Sequence, residues 1–170
     1  MPRQDVTAVP AVLADDAGFL LARCGAMAIR AVNQAFEPLG VRARHYSLLG
    51  LAAEGAGTSQ RTISAQLGLD PSAVVALIDE LEQTGLVQRQ TRSADRRTRT
   101  ITITPLGQSV LQRARPLARE VHDTILSPLQ PHQRQLLVAW LQELLLPADP
   151  TGPAEPEQAP GSGGNSHARS

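Results

Sequence analysis

The sequence predicts a mainly α-helical protein with one small β-ribbon, and three observations carry that prediction. Apolar residues recur at three- and four-residue spacing along most of the chain. Two of these helical stretches are short and are joined by a tight turn, Gly68-Leu69-Asp70-Pro71. The second is followed at once by two alternating stretches rich in β-branched residues, which read as paired strands. A β-wing placed directly after two such helices makes a winged helix-turn-helix, here flanked on both sides by further helices that form a helical lobe.

Composition bounds the rest. At 170 residues the chain is one domain or one compact two-lobed unit, and with 2% aromatic residues its core must be aliphatic. No apolar run is long enough to span a bilayer and no signal-peptide pattern opens the chain, so no membrane partner is expected. The single cysteine, Cys24, excludes an intrachain disulfide framework and fits a reducing, cytoplasmic setting. The formal net charge is zero, which taken as a sum argues against a nucleic-acid partner. Distribution matters more. All 16 Lys+Arg residues are arginine, and Arg89, Arg92, Arg96, Arg97 and Arg99 crowd the ribbon, where only Asp95 opposes them. The acids Asp79, Glu80 and Glu82 sit late in the preceding helix.

Taken in order, residues 1–12 lack periodicity and read as a flexible arm. The first helix, within residues 13–37, carries Leu20, Cys24, Met27, Ala31 and Ala35 near 3.6-residue spacing, with Asp15 and Asp16 at its positive end. Pro38-Leu39-Gly40 breaks it. A second helix from Arg42 to Ala53 turns Tyr46, Leu49 and Ala53 inward, although Gly50 weakens it by about 1 kcal/mol relative to alanine. Thr58 is placed to pair with the wing, and Ser59 to cap the third helix. There Ile63 and Leu67 share a face, Ala65 leaves room for a neighbour, and Gly68 supplies the stop. Asp70 caps the fourth helix, Pro71 suits its first turn, and Val74, Leu77, Ile78 and Leu81 form its buried stripe. Gly85 ends it. The strands follow at residues 86–91 and 98–104. Thr104 and Pro105 open a long fifth helix to about Leu126, in which Pro116 should make a kink. The last helix, residues 133–146, is apolar on more than one face and needs a second surface to cover it. From Pro147 to residue 170 the composition reads as a disordered tail.

The region resembles the MarR (multiple antibiotic resistance regulator) family. Asp95-Arg96-Arg97 matches that family's wing triplet. Ile103-Thr104-Pro105-Leu106-Gly107 matches its Leu-Thr-x-x-Gly with Ile for Leu, and Leu81-Glu82-Gln83-Thr84-Gly85-Leu86-Val87 matches its Leu-Glu-x-x-Gly-Leu-Val. The resemblance implies a regulator domain over residues 13–146. Its winged helix would span residues 42–104, and its dimerisation helices residues 13–37 and 105–146. It further implies a homodimeric DNA-binding transcriptional regulator, a repressor by analogy, that meets double-stranded DNA at a pseudo-palindromic operator. The fourth helix would enter the major groove through Ser72, Ala73, Val75 and Ala76, and the wing would reach the minor groove; Asp79 and Glu80 would be repelled by phosphate unless they face away or accept from a cytosine amine.

Val75 and Ala76 stand where the family often has Thr or Arg. Small apolar side chains can touch a thymine methyl but cannot read guanine bidentately, so base readout is expected to be modest. Affinity then leans on phosphate contacts from Ser59, Gln60 and Arg61 and on the wing. There Arg96 is the minor-groove candidate, with Arg97 and Arg99 beside it, and Asp95 would pair with Arg97 or Arg99. A small lipophilic or aromatic effector is implied between the lobes, with Arg23, Arg42, His45 and Tyr46 as candidates to line its site. The plainer reading of His45 is a partly exposed structural residue, and of Cys24 an inert packing residue. Two other readings stay open: a redox switch at Cys24, and a winged helix kept as a protein-interaction module. No nucleophile, phosphate loop, carboxylate pair or metal-ligand spacing appears, so neither an enzyme nor a cofactor is expected.

Overall fold

The computed structural model describes residues 9–54, 57–91 and 99–146, with the side chains of Thr91 and Arg99 left aside. Arg92, Asp95, Arg96, Arg97 and the predicted C-terminal tail lie outside the described residues, as does most of the predicted N-terminal arm. Among the described residues six α-helices and three strands follow in order: α1 Ala17–Phe36, α2 Ala43–Ala52, β1 Thr58–Ser59, α3 Gln60–Leu67, α4 Pro71–Gln83, β2 Val87–Thr91, β3 Arg99–Ile103, α5 Pro105–Ile125 and α6 Pro131–Leu145. Single 3-10 turns occupy Ala11–Leu13, at the end of the predicted arm, and Glu37–Leu39. The chain divides into two compact units, Met1–Pro128 and Leu129–Ser170, and α6 belongs to the second. Among the described residues no helix is long and apolar enough to cross a membrane.

The sheet is antiparallel in the order β1-β3-β2. Thr58 pairs with Ile101 and Ser59 with Thr100, so the short strand before α3 fastens the helix-turn-helix to the wing. On the other side Val87 pairs with Ile103, Arg89 with Ile101 and Thr91 with Arg99.

Helix ends follow the polar residues that start them. Asp16 accepts from the Phe19 N–H, so α1 begins at Ala17, later than the apolar pattern alone suggests. Ser59 accepts from the Thr62 N–H at 3.0 Å and caps α3. The close of α4 is a Schellman stop: the Leu86 N–H donates to the Leu81 carbonyl at 2.8 Å and the Gly85 N–H to that of Glu82 at 3.0 Å. Gly85 takes φ 71° there, a conformation that costs a glycine little. Leu81 and Leu86 are both buried, which gives the stop its apolar contact. α5 runs unbroken through Pro116, whose side chain is exposed.

The core of the first unit is mainly aliphatic, with Phe36 as its one fully buried aromatic ring among the described residues. Phe36, Leu48, Leu49, Ile63, Ile78, Leu81 and Leu111 are its largest fully buried side chains. Each such burial contributes roughly 1.5–3 kcal/mol. Phe36 and Tyr46 meet at a ring-centroid distance of 5.4 Å with planes tilted by 54°, a favourable aromatic geometry.

Three packing expectations are corrected. In α1 the buried residues are Val32 and Phe36, whereas Cys24 and Met27 are exposed, so Cys24 is not a packing residue of its own chain's core. The reason is positional: burial on α1 is confined to the C-terminal end, where it meets α2 and α5, and periodicity cannot say where along a helix its neighbours stop. In α2 the inward set is Leu48, Leu49 and Ala52, with Tyr46 and Ala53 half-buried. In α3 Ala65 is exposed, and it is Ser64 that closes the turn by donating to the Leu69 carbonyl.

Candidate nucleic-acid interface

α4 presents one buried stripe and one open face, because its apolar residues fall at helical spacing. Val74, Leu77, Ile78 and Leu81 face the core, while Ser72, Val75 and Ala76 are exposed and Ala73 is half-buried. The open face is therefore the one expected to meet a partner, and it is made of small side chains. Its first turn is pinned by Asp70, which accepts from both the N–H and the hydroxyl of Ser72, at 2.8 and 2.7 Å. The Ser72 hydroxyl spends its single proton on that bond, so towards an outside group it can act as acceptor. The same hydrogen bonds from Ser72 hold the Asp70 carboxyl below its ordinary range.

The start of α3 lies beside this face. Gln60, Arg61, Ser64 and Ala65 share a surface cleft with Pro71, the first residue of α4. Arg61 is exposed and Gln60 half-buried. The Ser59 oxygen serves as the cap of α3 and lies 2.8 Å from the Thr62 hydroxyl.

The acids of α4 do not stand bare. Asp79, Glu80 and Glu82 sit late in α4, and each is engaged by a neighbouring element. Arg89 on β2 donates through its guanidinium to Asp79 and Glu82, and its backbone N–H donates to Glu82 Oε1 at 3.1 Å. Burial works against the charge of this guanidinium, but the two carboxylate hydrogen bonds prevail and hold its pKa above the ordinary value. Arg89 is thus neutralised within the fold and does not add to the free positive charge of the wing. Glu80 meets His45 Nε2 at 3.0 Å. His45 Nδ1 accepts from the Arg42 N–H at 3.2 Å at the start of α2, so the ring proton sits on Nε2 and is donated to Glu80.

Of the residues predicted to line an effector site, Arg42 and His45 are brought together, and Tyr46 lies in a separate cleft. His45 shares a recess with Gly40, Val41, Glu80 and Leu81. Tyr46, one residue on, turns to a different side of α2, into a cleft with Arg115, Ala118, Arg119, His122 and Asp123 of α5. Arg42 is exposed at the start of α2 and Arg23 lies half-buried on α1; neither lines the Tyr46 cleft. Sequence reading missed the α5 contributors, although Arg115, Arg119 and His122 recur at four- and three-residue spacing and so share a helix face.

The base of the wing is locked to α5. Thr104 donates its hydroxyl to the Gly85 carbonyl at 2.7 Å and its N–H to the Leu86 carbonyl at 3.1 Å, while its oxygen accepts from the Gly107 N–H. Gly107 is buried against this junction, and a Cβ there would stand 2.0 Å from the Leu86 carbonyl oxygen. The Thr-x-x-Gly spacing is thereby explained: the threonine caps the helix and the glycine lets it lie on the end of the α4 stop.

Comparison with known proteins agrees with this architecture. A sequence model of the MarR family matches residues 39–98. An HTH-type transcriptional repressor of Mycobacterium tuberculosis is 28% identical over 134 residues, which are 78% of this chain and 96% of that protein. The crystal structure of a MarR-family transcriptional regulator from Rhodococcus sp. RHA1 is 38% identical with a TM-score of 0.72, covering 81% of this chain and 98% of its own. CouR from Rhodococcus jostii RHA1, bound to p-coumaroyl-CoA, is 39% identical with a TM-score of 0.74, covering 82% of this chain and 99% of its own.

Proposed function

The chain belongs to the MarR family of transcriptional regulators, and on that premise we propose that it is a homodimeric repressor that binds a pseudo-palindromic duplex and is released by an aromatic acid or its coenzyme A thioester. One observation carries the DNA-binding half of this reading. α4, with Ser72, Val75 and Ala76 exposed, packs against β2 of a ribbon whose connecting sequence holds Arg92, Arg96 and Arg97. Ser72, Ala73, Val75 and Ala76 meet the major groove, Ser59, Gln60 and Arg61 the phosphates, and Arg96, Arg97 and Arg99 the minor groove and its flanks. Asp95 orients a wing arginine. Because the helix face is small and apolar, arginine contacts to phosphate and to a narrow minor groove dominate the affinity.

The effector half rests on the Tyr46 cleft. A phenol beside Arg115, Arg119 and His122 offers an aromatic surface and several donors for an anionic group. The similarity to CouR, which was crystallised with p-coumaroyl-CoA, supports an aromatic acyl thioester as one such ligand.

Selection of bound fragments from random duplex DNA by the purified protein tests the reading. An inverted repeat with half-sites about one helical turn apart is expected. With about 6–8 phosphates neutralised per dimer, log K should fall against log salt with a slope of roughly −5 to −7. Arg96→Ala with Arg97→Ala should flatten that slope. Recovered sites without a repeat, or a slope untouched by the double substitution, would overturn it.

A further inference from the structure

The first arginine of the wing, Arg89, is turned towards α4. Arg89 lies on β2, its side chain 24% exposed, and it spends its guanidinium on Asp79 and Glu82 of α4. Glu82 also accepts the Arg89 backbone N–H, so one carboxylate grips both the side chain and the main chain of the strand. Asp79 and Glu82 are three residues apart and hence on one helix face, the face turned towards β2. The two acids and the arginine therefore form a clamp between the helix that would enter the major groove and the strand that carries the wing. The opposite edge of the ribbon is held separately, by the pairing of β1 with β3.

We propose that Arg89 is a positioning residue for DNA binding: it touches no nucleic acid itself, but sets the angle between α4 and the wing so that both reach the duplex together. The proposal rests on the DNA-binding reading above. Two features of the clamp carry it. Charge-assisted bonds to two separate carboxylates define a direction as well as a distance, because the guanidinium is planar and its donors are fixed in a fork. A part-exposed ion pair contributes little to folding free energy, so the pair-wise arrangement matters more for geometry than for stability. The clamp also withdraws Asp79 and Glu82 from the phosphates, which bare carboxylates on α4 would repel.

A double-mutant cycle on duplex affinity separates positioning from the other roles Arg89 could have. The probe is a labelled duplex carrying the inverted repeat recovered by selection, and thermal melting of each variant is followed in parallel. Arg89→Gln should weaken binding on the order of tenfold, by misplacing the wing arginines. Asp79→Asn with Glu82→Gln should weaken it by a similar factor, although it removes two negative charges, because the same clamp is lost. The triple variant should bind no worse than either. Three results would overturn the proposal. A loss on Arg89→Gln that is equally large in the Asp79→Asn, Glu82→Gln background would mark a direct phosphate contact. Unweakened binding by the Asp79→Asn, Glu82→Gln variant would reduce Arg89 to a charge neutraliser. A fall in melting temperature with unchanged affinity would make the clamp structural only. Failure of the wild-type protein to bind any duplex would sink the DNA-binding reading and this inference together, whereas wild-type binding without the coupled pattern sinks this inference alone.

Discussion

Asp70 shows how much one polar residue does here. It starts α4 by accepting two hydrogen bonds from Ser72, and those bonds favour its charged form, so its folded-state pKa lies below the ordinary carboxylate value. The sign of the linkage follows. A group with a depressed pKa adds stability above its unfolded pKa, and that stability is lost as pH falls through the folded value. Below about pH 4, therefore, the wild-type protein should lose melting temperature faster than Asp70→Asn, which keeps a capping oxygen but does not titrate. Identical acid limbs in the two proteins would show that the cap is not coupled to folding. His45 is instructive for another reason. It stands in sequence beside the tyrosine of the α5 cleft, yet its two ring nitrogens are taken by the Arg42 N–H and by Glu80. Adjacent residues on a helix point about 100° apart, and here that rotation separates a structural group from a candidate ligand-binding one.

At the scale of elements, junctions matter more than the elements they join. The α4 stop, the first strand of the wing and the start of α5 meet at Leu86, whose carbonyl accepts from the Thr104 N–H. Gly107 allows that approach. Gly107→Ala would drive a methyl group into backbone that cannot move alone, and should destabilise the protein by about 1–3 kcal/mol. Leu106→Ala, at a side chain 56% exposed one residue earlier, should change stability by no more than about 0.5 kcal/mol. Denaturant midpoints for the two variants check this, and equal midpoints would contradict the packing described. Much of this level was legible in the sequence. The order of helices and strands, the caps at Ser59, Asp70 and Thr104, and the stop at Gly85 follow from local chemistry that the flanking residues state outright. The Arg89 clamp was not legible, because Arg89 and Asp79 are ten positions apart and lie on different elements. Which of several acids an arginine meets depends on how the strand leaves the helix.

For the whole molecule the decisive feature is apolar surface. α6 has no buried residue, and Trp140, Leu144, Leu145 and Leu146 are 57, 69, 86 and 67% exposed. On α1, Leu21, Met27 and Ile29 are exposed as well. Apolar faces of this kind mark a contact with another surface, and a second copy of the chain is the cover proposed here. Trp140 is the sole tryptophan, so its fluorescence reports on α6 directly. Emission should move to longer wavelength as the protein is diluted and dimers dissociate. Leu141→Asp with Leu144→Asp should give that long-wavelength emission at every concentration, together with a monomeric sedimentation coefficient. A wild-type protein that sediments as a monomer at micromolar concentration would remove the homodimer from the proposal. Cys24 belongs to this scale too, since its exposure in the single chain is a fact about where α1 finds neighbours.

By itself the sequence determined the helices, their caps and stops, the ribbon and the family, because each is written in residues close together along the chain. The tertiary structure alone decided which charges cancel, which face of each helix is covered, and which α5 side chains share a cleft with Tyr46. The physical reason is range. Backbone conformation answers to neighbours a few residues away, whereas charge pairing and burial answer to distance in space, and only folding brings β2 onto α4 and α2 onto α5.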